Sequence, residues 1–315
     1  MAWPLAARAQ ERERFRRIDV FLGGLVGDPI LQGYVAAFRA SLAKLGWVES
    51  RNLRIDTRWL AGDSGGIRAA AAELAASIPD LVLTNNTPIL QALQKQTRTV
   101  PMVFVSLADP VESGVVASLA QPGGNTTGFM NPDASMSAKW LELLKEVAPG
   151  LDRMLVLVNA GNAGNAGRLR VLETAAPSFG VRLSAAAIHD ASDISNAVEE
   201  AGREPHVGLI AMPAAPINDL RTMIFALAAR YRLPAVYPYR YYAVDGGLMS
   251  YGAEPLAMWS QSAYYVHRIL TGEKPGDLPV QAPTKYDLVI NRRTANAIGL
   301  AVPETLLARA DEVIE

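Results

Sequence analysis

The sequence predicts an α/β protein of two lobes, each a doubly wound parallel sheet, with a cleft between the lobes. Three observations predict it. Short β-type runs alternate with longer helical patterns almost without interruption, and such alternation specifies parallel strands with helices on both faces. After Asn131 the alternation begins afresh, so there are two series. The chain has 315 residues, more than the roughly 100 to 200 that one core usually organises.

The first series opens on "RIDVFLGG", an apolar strand ended by glycines. Asp28 then supplies an N-cap and Pro29 a pre-organised first helical position for "ILQGYVAAFRASLAKLGW", whose apolar residues recur at helical spacing. "NLRIDTRWL" alternates, as a strand with one wetter face does. There follow a helix in "GGIRAAAAELAASIP", a strand in "DLVLTNN", a helix in "PILQALQKQT", a strand in "PMVFVSL", a helix in "PVESGVVASLAQ" and a short strand in "NTTGFMN".

In the second series the helix "SMSAKWLELLKEVAP" leads to the strand "RMLVLVNA", then a helix to about Phe179 and the strand "VRLSAAAIH". A helix around "ISNAVEEAG", the strand "VGLIAMP", the helix "INDLRTMIFALAARYR" and the strand "PAVYPY" complete it. "EPLAMWSQSAYYVHRILTG" is an amphipathic helix that comes after this series has ended, so it is expected to cross back onto the first lobe. The expected division is 1–16 as a residual export signal and lead-in, 17–130 with about 251–276 as lobe 1, and 131–250 with about 277–315 as lobe 2. Crossings are expected near residues 129–131, 248–252 and 272–280.

Composition narrows the function. With 30 basic and 31 acidic residues there is no global field to draw nucleic acid or an anionic membrane. No apolar run reaches the roughly 18 to 20 residues of a membrane span. Cysteine is absent, which removes thiol catalysis, Cys-ligated zinc and disulfides. "AWPLAARAQ" reads as the tail of an export signal with a small-x-small cleavage site at Ala7-Arg8-Ala9, its basic start missing, so a periplasmic location is expected.

Three capping residues followed by proline mark helix starts at Asp28-Pro29, Thr87-Pro88 and Asp109-Pro110. In a parallel sheet those starts share the strands' carboxyl edge, so three positive helix ends are expected to point into one crevice and favour a carboxylate. Asn85, Asn86 and Thr87 add side-chain amides and a hydroxyl there, and Ser106 and Asp109 stand on the neighbouring loop. Directly after a second-lobe strand, "NAGNAGNAG" places Asn159 and Asn162 either in a ligand-facing loop or in a flexible connection.

Half of the ten tyrosines fall in "YPYRYYAVDGGLMSYG". Aromatic rings at a strand's carboxyl end can clamp an apolar group, while Arg240 can pair with a carboxylate and Asp245 with an amine. Tyr237 and Tyr251 join these as candidate contacts, with about two of the five rings expected near ligand and the remainder in core.

Catalytic signatures are missing. His189, His206 and His267 are scattered without metal-binding spacing. There is no Gly-x-Ser-x-Gly elbow and no phosphate-binding loop, and "GGLVGD" leaves the dinucleotide glycine pattern incomplete. Neither enzyme activity nor a cofactor or metal is expected.

In order along the chain, "DPILQGYVAAFRASLAKLGWVESRNLRIDTRWLAGD", "LVLTNNTPILQAL", "PMVFVSLADPVESGVVASLAQPGGNTTGF", "LELLKEVAPGLDRMLVLVNAGN", "PAVYPYRYYAVDGGLMSYG" and "PTKYDLVINRRTANAIGLAVPETLLARADEVIE" resemble the ABC-transporter substrate-binding family that includes tryptophan-binding lipoproteins. The resemblance runs from about Arg17 to Glu315. It implies a type I periplasmic-binding fold with three crossings, a ligand gripped between lobes, and delivery to an ABC permease in the inner membrane. The chain departs from many relatives in having Asn85-Asn86 where they have glycines, and "MPAAPIN", from Met212 to Asn218, is lean in contact groups.

The expected function is an exported solute-binding protein, a monomer, that closes on a small carboxylate: an amino acid or an aromatic or organic acid. A ligand-binding sensor of the same fold is the alternative, and a cleft hydrolase using Asp109 or Asp245 a weaker one that lacks a nucleophile and base motif. About 17 residues precede the first strand, too few for a helix-turn-helix domain, so a repressor is not expected.

Overall fold

The computed structural model describes residues 15–60, 64–131, 133–159 and 163–315. The stretch read as an export signal, with Ala7 to Ala9, and Asn162 of the Asn-Ala-Gly repeat lie outside them. The first series forms β1 (Arg16–Leu22), α1 (Pro29–Lys44), β2 (Leu53–Trp59), α2 (Ser64–Ser77), β3 (Leu81–Thr84), α3 (Thr87–Gln96), β4 (Met102–Leu107) and β5 (Thr126–Met130). Its strands pair in the order β2-β1-β3-β4-β5, all parallel. Central β1 is buried continuously from Ile18 to Leu22 because helices cover both faces. β2 at the edge is wetter, as its alternation predicts.

The second series forms α4 (Ser137–Val147), β6 (Arg153–Val158), α5 (Ala163–Ala175), β7 (Arg182–Ala187), α6 (Ala191–Ala201) and β8 (Val207–Ala211). It continues through α7 (Ala215–Asp219), α8 (Arg221–Arg230), β9 (Ala235–Tyr237), α9 (Arg240–Val244) and β10 (Met249–Gly252). Then come α10 (Pro255–Leu270), β11 (Asp287–Asn291), α11 (Arg292–Ile298), α12 (Glu304–Leu307) and β12 (Glu312–Ile314). The second sheet runs β12-β11-β10-β9-β8-β6-β7.

α1 shows how local sequence positions the cleft. Asp28 Oδ1 accepts from the backbone N–H groups of Ile30 at 2.8 Å and Leu31 at 3.3 Å, Pro29 starts the first turn, and Tyr34, Val35, Phe38 and Leu42 form a buried stripe. Against that stripe α10 packs Met258, Trp259, Ala263 and Val266, so the late helix does return to the first lobe. Trp47, just after α1, donates its indole N–H to His267 Nδ1 of α10 at 3.1 Å.

Four expectations need correction. The second sheet is not wholly parallel, because β10 and β11 pair antiparallel with Met249 opposite Ile290; the C-terminal residues add an edge to the sheet that series two had already built. "PVESGVVASLAQ" forms turns, not a helix. Asp109 Oδ1 accepts from Glu112 N–H, Asp109 C=O accepts from Ser113, and Gly114 at φ 71° takes the chain out after that one turn. The carbonyls beyond it are met by α3, whose Gln91 and Gln94 amides donate to Ser113 and Val115 at 2.9 Å. Asp109-Pro110 therefore starts no helix.

The Asn-Ala-Gly repeat is helical from Ala163, so its later residues belong to the first turn of α5. Finally, two crossings come later than expected. Met249–Gly252 stays in the second sheet, and Leu278 to Gln281 stay on the first lobe: Thr127 Oγ1 donates to Leu278 C=O at 2.6 Å and Gln281 N–H to Gly128 C=O at 2.9 Å. The chain changes lobes between β5 and α4, between β10 and α10, and between Gln281 and β11. Among the described residues no helix is long and apolar enough to cross a membrane.

Candidate functional site

The carboxyl edges of the two sheets face each other across a cavity of about 150 Å³. From the first lobe come Gly23 and Gly24 after β1, Asn85 and Asn86 after β3, Ser106 at the end of β4 and Asn131 after β5. From the second come Asn218, Asp219 and Arg221 after β8, and Tyr239 and Tyr241 after β9. Two ring pairs bound the space: Tyr34 on Trp259, with centroids 6.1 Å apart and planes 24° apart, and Tyr239 on Tyr241 at 5.6 Å and 26°. Burial pushes the phenols of Tyr34, Tyr239 and Tyr241 above their ordinary range, so they stay neutral donors.

The first-lobe wall is tightly interlocked. Gly23 N–H donates to Asn85 Oδ1 at 2.8 Å, and Asn86 Oδ1 accepts from Ile89 N–H at 3.1 Å to cap α3. With both amide oxygens engaged, the NH₂ groups are the donors that these side chains have left. Gly23 has to be glycine, since a Cβ there would come within 2.7 Å of Asn86 Cβ. Gly23→Ala should therefore displace Asn86 and lower ligand affinity about tenfold, the cost of one lost neutral hydrogen bond. Calorimetric titration beside the parent would read it, and equal affinities would refute it.

Ser106 is the most strained residue of this wall. It sits in a register shift between β4 and β5, at φ 61°, a bulge on the border of the cleft. Ser106 Oγ and Asn131 Oδ1 are both buried without a hydrogen-bond partner among the described residues, while Asn131 Nδ2 donates to Ser106 C=O at 2.8 Å. A buried polar atom left so costs about 1–3 kcal/mol. Both residues border the cavity, but the two atoms themselves are closed off from solvent, and the Tyr239 phenol lies beside Asn131.

The second-lobe wall carries charge. Arg221 Nε donates to Asp245 at 2.9 Å and Nη1 to Asn218 C=O at 3.1 Å, and the guanidinium lies 5.5 Å from the Tyr241 ring centre. Burial works against this charge, but the bond to Asp245 outweighs it and holds the Arg221 pKa above its ordinary value. Asp219 keeps an exposed face, and its carboxyl is shifted upward by partial desolvation and then by the negative charge of Asp28 from the first lobe.

Of the residues singled out from sequence, Asn85, Asn86 and Ser106 border this cavity, and Thr87, Asp109, Asn159, Tyr237, Arg240, Asp245 and Tyr251 do not. Thr87 begins α3, and Asp109 holds the turn after β4. Arg240 makes a bidentate pair with Glu312 of β12, at 2.6 and 2.8 Å. Asp245 supports Arg221 from behind. Tyr237 is core, stacked on Tyr242 at 5.1 Å and edge-on to Phe225. Tyr251 stacks on Tyr286 in a separate small recess under Trp140. Two rings of the tyrosine stretch do border the cavity, but they are Tyr239 and Tyr241.

Sequence reasoning missed Tyr34, Trp259, Asp219 and Arg221, and treated Asp28 only as a cap. Asp219 directly follows the segment set aside as lean, and its position after the β8 strand was the available signal.

The family model described as ABC transporter substrate binding protein matches residues 20–314. A tyrosine-binding protein of Clostridioides difficile (strain R20291) is 23% identical over 286 residues, covering 90% of this chain and 81% of that protein. Among solved structures, a conserved domain protein from Vibrio cholerae is similar with a TM-score of 0.87 and 28% identity, over 95% of this chain and all of that one (100%). An ABC domain from Streptococcus pneumonia, solved in complex with L-Trp, is similar with a TM-score of 0.86 and 22% identity, over 95% and 99% of the two chains.

Proposed function

This chain belongs to the ABC transporter substrate-binding protein family, and on that premise we propose that it binds an amino acid with an aromatic or large apolar side chain between its lobes, as the exported, ligand-delivering component of an importer. The observation that carries this reading is the placement of Asp28 and Asp219, one from each lobe, on the border of a cavity bounded by stacked aromatic rings. An α-ammonium fits between two carboxylates that otherwise repel, and the side chain fits the rings. The ligand's carboxylate is set against the Asn85 and Asn86 amides.

Binding and closure are then one event. Without a cation, bringing Asp219 toward Asp28 costs Coulomb energy; with one between them the same approach is favourable, so ligand shifts the lobes toward the closed state. The rim adds an ion pair across the lobes, with Arg170 of α5 2.9 Å from Glu112 of the turn after β4. Tyrosine and L-Trp, bound by two of the similar proteins, support the ligand class. Delivery to a permease, and action outside the cytoplasm, follow from the same family role. The reading assigns reversible binding to the cleft and no bond-making step.

Titration calorimetry with L-tyrosine, L-tryptophan, L-phenylalanine and L-leucine tests it. One-to-one binding of at least one is expected, with a stabilisation of about 2.7 kcal/mol at a hundredfold excess over Kd. Absence of heat and of any unfolding shift across all four would overturn it.

A further inference from the structure

We infer that the cleft selects its ligand by the ammonium group, so that aromatic monoamines lacking a carboxylate are ligands alongside the amino acids. This rests on the reading of the cleft as an amino-acid site and goes beyond it. The charged side chains among the described residues bordering the cavity are Asp28, Asp219 and Arg221. Arg221 is already met by Asp245 and by the Asn218 carbonyl. An incoming carboxylate therefore finds a compensated cation, while an incoming ammonium finds two carboxylates from opposite sides.

The positive ends of the first lobe's helices do not alter this balance, and α7 and α9, which begin at the cavity without a side-chain cap, are only five residues long and add little field. The Asp28 carboxylate takes the Ile30 and Leu31 N–H groups of α1 and the Asn86 amide oxygen the Ile89 N–H of α3, so these donors are not offered to an anion. No third helix starts at Asp109. Asp28 has part of its charge offset by the α1 terminus, whereas Asp219 is the last residue of α7, beside carbonyl oxygens, where a cation is welcome.

The two carboxylates call for a ligand that brings positive charge and N–H donors. The rings of Tyr34, Trp259, Tyr239 and Tyr241 attract a nearby cation through their faces and take up an aromatic group. Against this set, the neutral amides of Asn85 and Asn86 add little for a carboxylate.

Matched ligands that keep the ring and delete one head group decide the matter: tryptophan, tryptamine and indole-3-propionate, and tyrosine, tyramine and 3-(4-hydroxyphenyl)propionate, each titrated into the whole chain by calorimetry. In at least one series the amine is expected within about tenfold of the amino acid and the acid at least about a hundredfold weaker. Asp219→Asn, with its unfolding transition checked against the parent, should weaken both the amino acid and the amine about tenfold or more and leave the acid no weaker. If amino acids bind and both amines are over a hundredfold weaker, the inference fails while the amino-acid reading stands. If only the acids bind, or none of the six does, both fail.

Discussion

Trp259→Ala is expected to lower the unfolding free energy by about 3–5 kcal/mol, the usual range for emptying a buried tryptophan site. The indole is 1% exposed and belongs to the cluster that joins α10 to α1 and the first sheet. Its ring stacks on Tyr34, so its removal also takes away one side of the cavity proposed to hold the ligand. Two effects should therefore appear together: a lower denaturant midpoint with an unchanged slope, and a loss of ligand heat under conditions where the variant is still folded. Trp259→Phe, which keeps a ring there, should recover most of the stability. A loss below about 1 kcal/mol for the alanine variant would mean that the site collapses without strain and that the rings are less closely coupled than their stacking implies.

The second large effect is on pH dependence. Partial desolvation, and then Asp28 across the cleft, raise the carboxyl of Asp219 above its ordinary value although the residue keeps an exposed face; the charged groups near it are Asp28 and Arg221, with Asp245 behind the latter. A carboxyl with a raised folded-state pKa ionises less readily in the fold than in the unfolded chain. Its contribution therefore opposes folding above the raised value and fades as pH falls through it, so the ligand-free protein should gain stability on mild acidification. Ammonium binding runs the opposite way, because protonated Asp219 offers no charge. Below its pKa the affinity should fall by up to about tenfold per pH unit, one proton displaced for each ligand bound. Calorimetry in buffers of different ionisation heat measures that proton directly, and Asp219→Asn should abolish it. A parent protein whose ligand affinity stays flat from neutral pH down through the carboxylate range would refute the assignment of Asp219 to the ammonium.

What the sequence makes legible is what depends on neighbours along the chain. Asp28-Pro29 announces α1 because cap and first turn lie within four residues, and the apolar runs of β1, β3 and β4 read as covered strands for the same reason. Position at a strand's carboxyl edge likewise sets Asn85, Asn86 and Ser106 beside the cavity. The failures all turn on distant partners. Arg240 and Arg221 look equally suited to a ligand, and the difference is that Glu312, 72 residues further on, takes the first. The turn after Asp109 escapes being a helix because Gln91 and Gln94 of α3 satisfy its carbonyls. Tyr237 and Tyr239 are two residues apart on one strand end, yet one meets Phe225 in the core and the other the cavity. Even the antiparallel strand β11 is decided by which edge remains open when the chain returns from the first lobe.

The late arrival of α10 has a consequence for how the molecule is made. During synthesis the whole of α1, with Tyr34, Val35, Phe38 and Leu42, is complete more than 200 residues before the helix that covers it, and every strand from β6 to β10 emerges in the interval. The second lobe can begin to gather while the first still shows an oily seam to its surroundings. Vulnerability to aggregation and to holdase chaperones should then concentrate at that seam and end abruptly once residues 255–281 are available, so a nascent chain stopped at about residue 250 should be sticky where one carried past 281 is not.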